Sequence, residues 1–152
     1  MRRVALLAIA FAVAAAACSG GGDCDTDEPG HVTFTKGHAL TVRIADAPDE
    51  RARGLMGVTS LPPDEGMAFV YAGPTQETFW MKDTPIPLSI AFIDGDRVVA
   101  IREMVPCTGD TCPTYDAQAP YTYAVEANRG WFAEHGITEG DRVRSFDGPF
   151  CR

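Results

Sequence analysis

The fold of this chain is decided by the stretch Phe79-Trp80-Met81-Lys82-Asp83-Thr84-Pro85-Ile86-Pro87-Leu88-Ser89-Ile90-Ala91-Phe92-Ile93. Each of its large apolar side chains would contribute roughly 1.5 to 3 kcal/mol on full burial, so the stretch must run through the core. Pro85 and Pro87 exclude a helix, because proline lacks an amide N–H and restricts the residue before it. The stretch therefore predicts a strand, a rigid polar corner at Lys82 and Asp83, and a second strand.

Alternating apolar and polar residues indicate further strands on both sides of this stretch. In chain order, we expect strands at residues 33–36, 40–44, 67–71, 78–81, 88–93, 98–105, 121–127 and 142–146. Asp94-Gly95 between two strand-forming runs is a strong hairpin signal, and Gly37-His38 predicts a second hairpin. Residues 107–120 are expected to form a loop.

Two short helical segments are expected between the strands. Asp46 can cap the first, which ends near Gly54, and Asn128 can cap the second, which ends at Gly136. No long helix is available to cover a parallel sheet, so seven or eight short strands predict a mainly β fold. The expected domain is a small β-barrel or β-sandwich with one or two short helices.

Several short motifs occur together in a fixed order. They are Ala52-Arg53-Gly54-Leu55-Met56, Leu61-Pro62, Gly66-Met67-Ala68-Phe69, Phe79-Trp80-Met81-Lys82 followed by Thr84 and Ile86-Pro87-Leu88, and Gly140-Asp141-Arg142-Val143. As a set they resemble the signature of the bacterial and archaeal domain of unknown function 192 family, over residues 33–146. Two positions depart from the usual pattern, since Asp83 stands where Asn is more common and Ser89 where Asp is common. The resemblance implies a small, mostly β domain and brings no established activity with it.

The length and composition allow one domain with a substantial core. The chain has 152 residues, of which 45% are hydrophobic. Its formal net charge is −8, and a cleaved leader would remove the two positive charges of Arg2 and Arg3 and bring it to −10. Such a chain is repelled by phosphate backbones and by anionic lipid headgroups. We therefore expect no nucleic-acid partner. We also expect the domain to be a monomer.

The N-terminus has the pattern of a secretory leader. Met1-Arg2-Arg3 precedes an apolar run at residues 4–17, which is too short to span a bilayer comfortably. Small residues directly before Cys18 are what a lipoprotein signal peptidase cuts. Ordinary cleavage after Ala17, which would leave Cys18 free, is the alternative. The lipoprotein interpretation predicts an exported protein that is anchored to the cell membrane or envelope by lipid at Cys18 and makes no other membrane contact.

These features divide the chain into three parts. We expect a signal peptide at residues 1–17, a lipidated cysteine with a flexible linker at residues 18–30, and a single β domain at residues 31–152. The linker is rich in Gly, Asp and Glu and has almost nothing to bury, as expected for a tether between an anchor and a domain.

The chain has five cysteines, an odd number for an exported protein. Lipidation of Cys18 would account for the odd one. Cys107 and Cys112 bracket four residues inside a loop, whereas Cys24 and Cys151 flank the domain at its two ends. Loop locality therefore favours these two pairs over the other pairings. In the chain-entropy model the small ring contributes about 2 kcal/mol and the end-to-end ring about 5 kcal/mol.

The sequence gives little support for catalysis or for a bound metal. No Cys-x-x-Cys or Gly-x-Ser-x-Gly motif occurs, and the three histidines are scattered at no ligand spacing. Acid–base chemistry could be imagined at Lys82, Asp83 and Glu126, but a lysine beside an aspartate is more often a solvated corner. We therefore expect no cofactor and no metal, and we favour a protein without enzymatic activity.

The polar corner is the candidate ligand site. Trp80 and Lys82 are two residues apart, so on a strand they share one face, while the methionine between them points toward the core. An ammonium beside an indole suits a small anionic or hydroxyl-rich ligand. Arg53 and Glu126 are the candidates to complete the polar set, and Asp83 is the fifth predicted ligand residue.

Two interpretations of Lys82 remain open at this point. It can contact a ligand, or Asp83 can neutralise it, in which case Lys82 only braces the turn. The residues together favour a small-ligand-binding or accessory module of the cell envelope, because they offer a polar corner over an aromatic floor without a catalytic set. A structural or assembly role in the envelope, without a small-molecule ligand, is the alternative.

Overall fold

The computed structural model of the protein describes residues 28–148. The expected leader, Cys18, Cys24 and Cys151 lie outside the described residues. Within this range the chain forms nine strands and two short helices: β1 Gly30–Phe34, β2 Ala39–Ala45, α1 Pro48–Arg53, β3 Glu65–Thr75, β4 Phe79–Trp80, β5 Leu88–Asp94, β6 Arg97–Met104, β7 Thr114–Tyr115, β8 Tyr121–Asn128, α2 Trp131–Glu134 and β9 Val143–Asp147. The predicted mainly β fold is confirmed. No helix in this range is long and apolar enough to cross a membrane.

Seven of the strands form one curled sheet with the order β6-β5-β8-β3-β2-β1-β9. Neighbours are antiparallel except β2 and β3, which run parallel because a crossover containing α1 joins them. The two ends of the sheet meet, since the backbone N–H of Val98 donates to the carbonyl of Asp141 at 2.9 Å and Gly140 donates to Val98 at 2.8 Å. The sheet therefore forms a half-barrel whose edge strands are joined at one end.

Both faces of this sheet are buried, as the residues of β5 show. Ala91 and Ile93 belong to one apolar core, whereas Leu88, Ile90 and Phe92 belong to a second core on the opposite face. The first core also contains the two aromatic residues of α2, and the second contains Leu55 just after α1 and Phe79 of β4. A strand buried on both sides reads as an almost continuous apolar run, as residues 88–93 do.

The helix α1 is capped differently from the prediction. Its N-cap is Ala47, not Asp46, so no side chain caps it from that position. The carboxylate of Glu50 instead accepts the backbone N–H groups of Asp46 at 3.2 Å and of Ala47 at 3.0 Å. A carboxylate in the first helical turn supplies the missing acceptor and suits the positive end of the helix dipole. The predicted end at Gly54 is confirmed.

The prediction for the cap of α2 was wrong. Gly130, in the left-handed region at φ 86°, occupies the N-cap position. The side-chain amide of Asn128 donates instead to the backbone carbonyls of Leu61 at 3.1 Å and Pro62 at 2.9 Å. It thus ties β8 to the loop before β3. A long-range use of this kind is invisible in the local sequence.

The predicted loop 107–120 contains one short strand, β7, which pairs antiparallel with β4. The predicted disulfide between Cys107 and Cys112 is present, with an S–S distance of 2.05 Å. It closes the small ring just before β7. Pairing between β4 and β7 raises the number of strands to nine, one more than the upper limit predicted.

Candidate functional site

The polar corner is a tight turn that the backbone holds from two sides. Thr84 donates its N–H to the carbonyl of Met81 at 3.1 Å, which closes the turn. The N–H of Asp83 donates to the carbonyl of Cys107 at 3.0 Å, and its carbonyl accepts from Gly57 at 2.8 Å. Asp83 has φ 54°, the left-handed conformation that a turn of this kind requires at its third position. The predicted turn at Lys82 and Asp83 is therefore present.

The residues before the corner alternate between solvent and core. Met81 is 1% exposed and belongs to the second core, whereas Trp80 on β4 is 50% exposed. Burial of the methionine anchors the strand, and the indole is left at the surface. Within residues 28–148, Trp80 and Val105 are the large apolar residues that are exposed.

A cavity of about 260 Å³ lies beside this tryptophan, between α1 and the second core. Its lining comes from α1 and the residues after it, from β3, from the segment around β4 and from β8: Pro48, Arg51, Ala52, Arg53, Gly54, Leu55, Met56, Phe69, Tyr71, Glu77, Thr78, Phe79, Trp80, Thr84 and Glu126. Three of the five predicted ligand residues, Arg53, Trp80 and Glu126, line this cavity. Lys82 and Asp83 are not among its lining residues. The ligand-binding roles of all five stay predictions.

Aromatic side chains form much of the cavity wall. Phe69 on β3 and Phe79 on β4 meet edge to face, with ring centroids 4.9 Å apart. Tyr71 follows on the same face of β3, and the Arg51 guanidinium lies 4.9 Å above its ring. Arg51 also donates to the backbone carbonyls of Asp46 and Val70, so its position is fixed by three partners.

Glu126 is the most unusual residue of the site. It is 4% exposed, and its cross-strand neighbours are Met67 on β3 and Ile90 on β5, both apolar. No described residue donates a hydrogen bond to its carboxyl group. Between residues 28 and 148, every side-chain oxygen or nitrogen that is inaccessible to solvent has a hydrogen-bond partner. The carboxyl oxygens of Glu126 have no such partner, so they must be accessible from the cavity.

The surroundings of Glu126 determine its charge. Burial without a compensating donor or cation raises the pKa of its carboxyl from 4.5 to about 8. Near pH 7 the group is therefore mostly protonated, and a protonated carboxyl can both donate and accept a hydrogen bond. A buried carboxyl with a perturbed pKa inside a cleft is a typical feature of functional sites.

Gly66 fixes the backbone next to this carboxyl. A Cβ atom at position 66 would lie 2.1 Å from the carbonyl oxygen of Glu126, far inside contact distance. Only glycine lets β3 approach β8 this closely. This explains the glycine of the Gly66-Met67-Ala68-Phe69 motif, whose role the sequence alone did not reveal.

Arg53 is the other charged residue of interest. It is exposed at the end of α1, and its guanidinium has no hydrogen bond or ion pair within residues 28–148. The charged groups that line the cavity are thus Arg51, which is engaged by carbonyls, Arg53, Glu77 and Glu126. Arg53 is the cation that stays available to a ligand, Glu126 is the buried carboxyl, and Glu77 is an exposed one.

Sequence reasoning missed most of the cavity lining, including Tyr71 and Glu77. Tyr71 stands two residues after Phe69 on β3, so the period-two pattern of a strand could have placed both rings on one face. Glu77 lies in the segment between β3 and β4 and carries no local signal. No group of three or more His, Cys, Asp or Glu side chains in the described part of the chain is arranged to hold a metal ion.

Ser89, the second position that departs from the family pattern, makes two hydrogen bonds within the protein. Its hydroxyl donates to a carboxylate oxygen of Glu103 at 2.6 Å and accepts the backbone N–H of Gly130 at 2.8 Å. The acceptor role at Gly130 is one that an aspartate could also fill. Ser89 lies outside the cavity lining and joins β5 to the start of α2.

The chain matches a known family over most of its length. The sequence profile of the domain of unknown function 192 family, described as uncharacterized ACR, matches residues 31–145. None of the curated proteins matches the chain. The crystal structure of a proposed transcription regulator from Sinorhizobium meliloti 1021 is 31% identical with a TM-score of 0.68, covering 77% of this chain and 92% of that one.

A second solved structure is similarly close. A protein of unknown function from Novosphingobium aromaticivorans DSM 12444 is 38% identical with a TM-score of 0.68, covering 77% of this chain and 84% of that chain. Identity at this level over most of both chains agrees with the profile match. The chain belongs to the domain of unknown function 192 family.

Proposed function

We propose that this protein is a small-ligand-binding module of the cell envelope and that its ligand occupies the cavity lined by Arg53, Trp80 and Glu126. One observation carries the proposal: the nearly buried carboxyl of Glu126 has no partner among the described residues and reaches the cavity. Leaving a buried polar group unbonded costs about 1 to 3 kcal/mol. A ligand that bonds to it would recover part of this free energy.

The rest of the cavity suggests how a ligand would be held. Trp80 presents an indole face at the rim, on which a ring or an aliphatic chain can stack. The unpaired guanidinium of Arg53 is a forked donor suited to a carboxylate or to neighbouring hydroxyl groups. Together these groups fit a small anionic or hydroxyl-rich molecule.

The cellular part of the proposal is supported by the N-terminal sequence. A short apolar leader before Cys18 is the pattern of an exported lipoprotein, and two acyl chains on that residue would anchor it stably. Intact-mass measurement of membrane-extracted protein should give a chain that begins at a lipidated Cys18. A chain that begins elsewhere, or an unmodified Cys18, would contradict the anchor.

The transcription-regulator description belongs to the Sinorhizobium meliloti protein, and the charge of this chain argues against a DNA-binding role. A net charge of −8 disfavours contact with DNA phosphates, and sequence-independent DNA binding depends on positive charge.

The second candidate function is the structural or assembly role in the envelope. It predicts that no small molecule binds at the cavity.

The two candidates are separated by a thermal-shift screen of the full-length chain with sugars, sugar acids, carboxylates and amines, followed by calorimetry on each hit. We expect at least one class to bind and the Arg53→Ala and Trp80→Ala variants to lose at least tenfold in affinity. Arg43→Ala is the matched control, because Arg43 is an exposed arginine on β2 outside the cavity lining. If no probe binds, or if every variant responds equally, the structural role is the better account.

A further inference from the structure

We infer that the inner end of the cavity takes an ammonium group, so that the ligand is a small zwitterion of the α-amino acid type, with its amine at Glu126 and its carboxylate at Arg53. The inference rests on the proposed function, because it names the ligand class of the same cavity. It follows from the opposite sign and different depth of two charged cavity residues, since Glu77, the other carboxylate of the lining, is exposed. Glu126 is buried at the sheet, and Arg53 is exposed at the end of α1.

The inner end lacks donors for the Glu126 carboxyl. Its cross-strand neighbours Met67 and Ile90 are apolar, and no side chain among residues 28–148 donates to it. A carboxylate accepts several hydrogen bonds, and an ammonium group supplies three donors together with the compensating charge. An ammonium therefore satisfies this carboxyl more fully than a single hydroxyl does.

The walls of the cavity also favour a cation at this depth. Phe69, Tyr71 and Phe79 line it, and aromatic rings attract cations through the negative potential of their faces. The negative net charge of the chain adds a long-range attraction in the same direction. Both effects act against an anion at the inner end and for an amine there.

The outer end needs the opposite charge. Arg51 already donates to the carbonyl of Val70 at 3.0 Å and stacks on Tyr71, so it is not free to bind a ligand anion. Arg53 is unpaired within the described range, and a guanidinium binds a carboxylate through two parallel hydrogen bonds. A cavity of about 260 Å³ admits one small molecule, which limits the ligand to the size of a single amino acid or a close relative.

Binding of an ammonium must release a proton. Burial raises the pKa of Glu126 to about 8, so at pH 7 its carboxyl carries a proton that has to leave when the ion pair forms. The other charged groups that line the cavity are Arg51, Arg53 and Glu77. Burial also raises the pKa of the Tyr71 phenol, which stays neutral. The proton released on binding therefore comes from Glu126.

The test compares matched pairs of probes that differ only in the amine. Each of the common L-α-amino acids is titrated into the full-length protein, and each hit is repeated with the corresponding 2-hydroxy acid, for example L-leucine and L-2-hydroxyisocaproate. We expect the amino acid to bind at least tenfold more tightly. Calorimetry at pH 7 in two buffers of different ionisation enthalpy should show release of about one proton, and affinity should rise about tenfold from pH 6 to pH 7 and level off above pH 8.

Two variants assign the ends of the ligand. Glu126→Gln keeps the shape of the side chain and should weaken amino acid binding at least tenfold, with no proton release and no pH dependence. Glu65→Gln is the control, because Glu65 is an exposed carboxylate at the start of β3. Arg53→Ala should weaken binding of the amino acid and leave binding of its methyl ester unchanged. Thermal unfolding of each variant establishes that it is folded.

The outcomes separate the inference from the proposed function. If the 2-hydroxy acid or a sugar binds as well as any amine and no proton is released, the ammonium site is wrong and the ligand-binding cavity stands. Unchanged amino acid binding in Glu126→Gln would also overturn the ammonium site. If no probe of any class binds, both fail.

Discussion

The carbonyl oxygen of Glu126 lies 2.1 Å from the point that a Cβ atom on Gly66 would occupy, so the two strands that carry these residues touch backbone to backbone. This contact places β3 directly against β8 at the residue whose carboxyl enters the cavity. The position of that carboxyl therefore depends on the absence of a side chain at residue 66.

Replacement of this glycine should separate the two strands. We expect Gly66→Ala to lower the free energy of unfolding by about 1 to 3 kcal/mol, because the methyl group would overlap backbone that cannot move aside. Gly73→Ala on the same strand is the matched control, since nothing lies within 4 Å of its added Cβ, and it should change stability by less than about 0.5 kcal/mol. Urea denaturation measures both. Equal effects would show that the close approach is relaxed in solution.

The left-handed backbone of Asp83 gives a second prediction. Asn and Gly tolerate φ near 54° better than Asp does, so Asp83→Asn and Asp83→Gly should raise stability by about 0.5 to 1 kcal/mol. Asp83→Val should lower it by about 1 to 2 kcal/mol, because a β-branched residue is strained in this region. Thermal unfolding gives the order of the variants, with Asp110→Asn as a control for the lost charge. A valine variant as stable as wild type would argue against the observed turn.

The raised pKa of Glu126 predicts a pH-dependent stability. The pKa of Glu126 is about 8 in the folded chain and 4.5 in the unfolded chain. Between pH 4.5 and pH 8 the carboxyl is therefore protonated in the native state and ionised in the unfolded state. The contribution of this group is fully present below pH 4.5 and is lost as pH rises toward 8. Over that window, Glu126→Gln should gain stability relative to wild type by up to about 1.4 kcal/mol per pH unit.

Unfolding in urea at pH 5, 6, 7 and 8 checks this slope. Glu65→Gln serves as the control, because an exposed carboxylate should give a curve parallel to that of wild type. A parallel curve for Glu126→Gln as well would mean that the carboxyl is solvated or bonded in solution.

Replacement of Lys82 tests whether the corner takes part in ligand binding at the cavity. Its side chain does not line the cavity, and the corner is held by backbone bonds of Met81, Asp83 and Thr84 rather than by its ammonium group. We therefore expect Lys82→Met to lower ligand affinity by less than about threefold and stability by less than about 1 kcal/mol. Calorimetry with any hit of the screen measures the first quantity. A loss of tenfold or more would place Lys82 at the ligand.

The two remaining cysteines are expected to form a second disulfide. The ring between Cys107 and Cys112 is present, which leaves Cys24 and Cys151 as the pair to be joined if Cys18 carries lipid. Peptide mapping without reduction should yield one fragment that links the segment before the domain to the C-terminal tail. A fragment that links Cys24 to Cys18 would contradict both the pairing and the lipid anchor.

The parts of the fold that were predictable are those encoded locally. Pro85 and Pro87 excluded a helix, Asp94-Gly95 specified a hairpin, and alternation along β2 showed its buried face. The predicted helix cap at Asn128 was wrong because its side-chain amide donates to the carbonyls of a loop that is distant in sequence. The sequence around Asn128 gives no sign of that contact.

The candidate site was predictable only in part, for a related physical reason. Trp80 could be placed because an aromatic residue beside a buried methionine on a strand must face outward. Arg53 and Glu126 were named as candidates, but the cavity between them exists only after α1, β3 and β8 pack together. The missing donor at Glu126 is likewise a property of its two neighbouring strands. No pattern within β8 encodes it.

The joining of the two sheet edges has a consequence for how copies of the protein behave when crowded. An open β edge is a template on which a second chain can add a strand, the first step of many aggregation reactions. Here Val98 on β6 donates its N–H to Asp141, Ile101 donates to the Glu139 carboxylate at 3.3 Å, and Val105, just beyond the strand, donates to the Tyr115 hydroxyl at 3.1 Å. A second copy would find these donors already occupied. Many copies could then stand side by side on one surface without fusing their sheets.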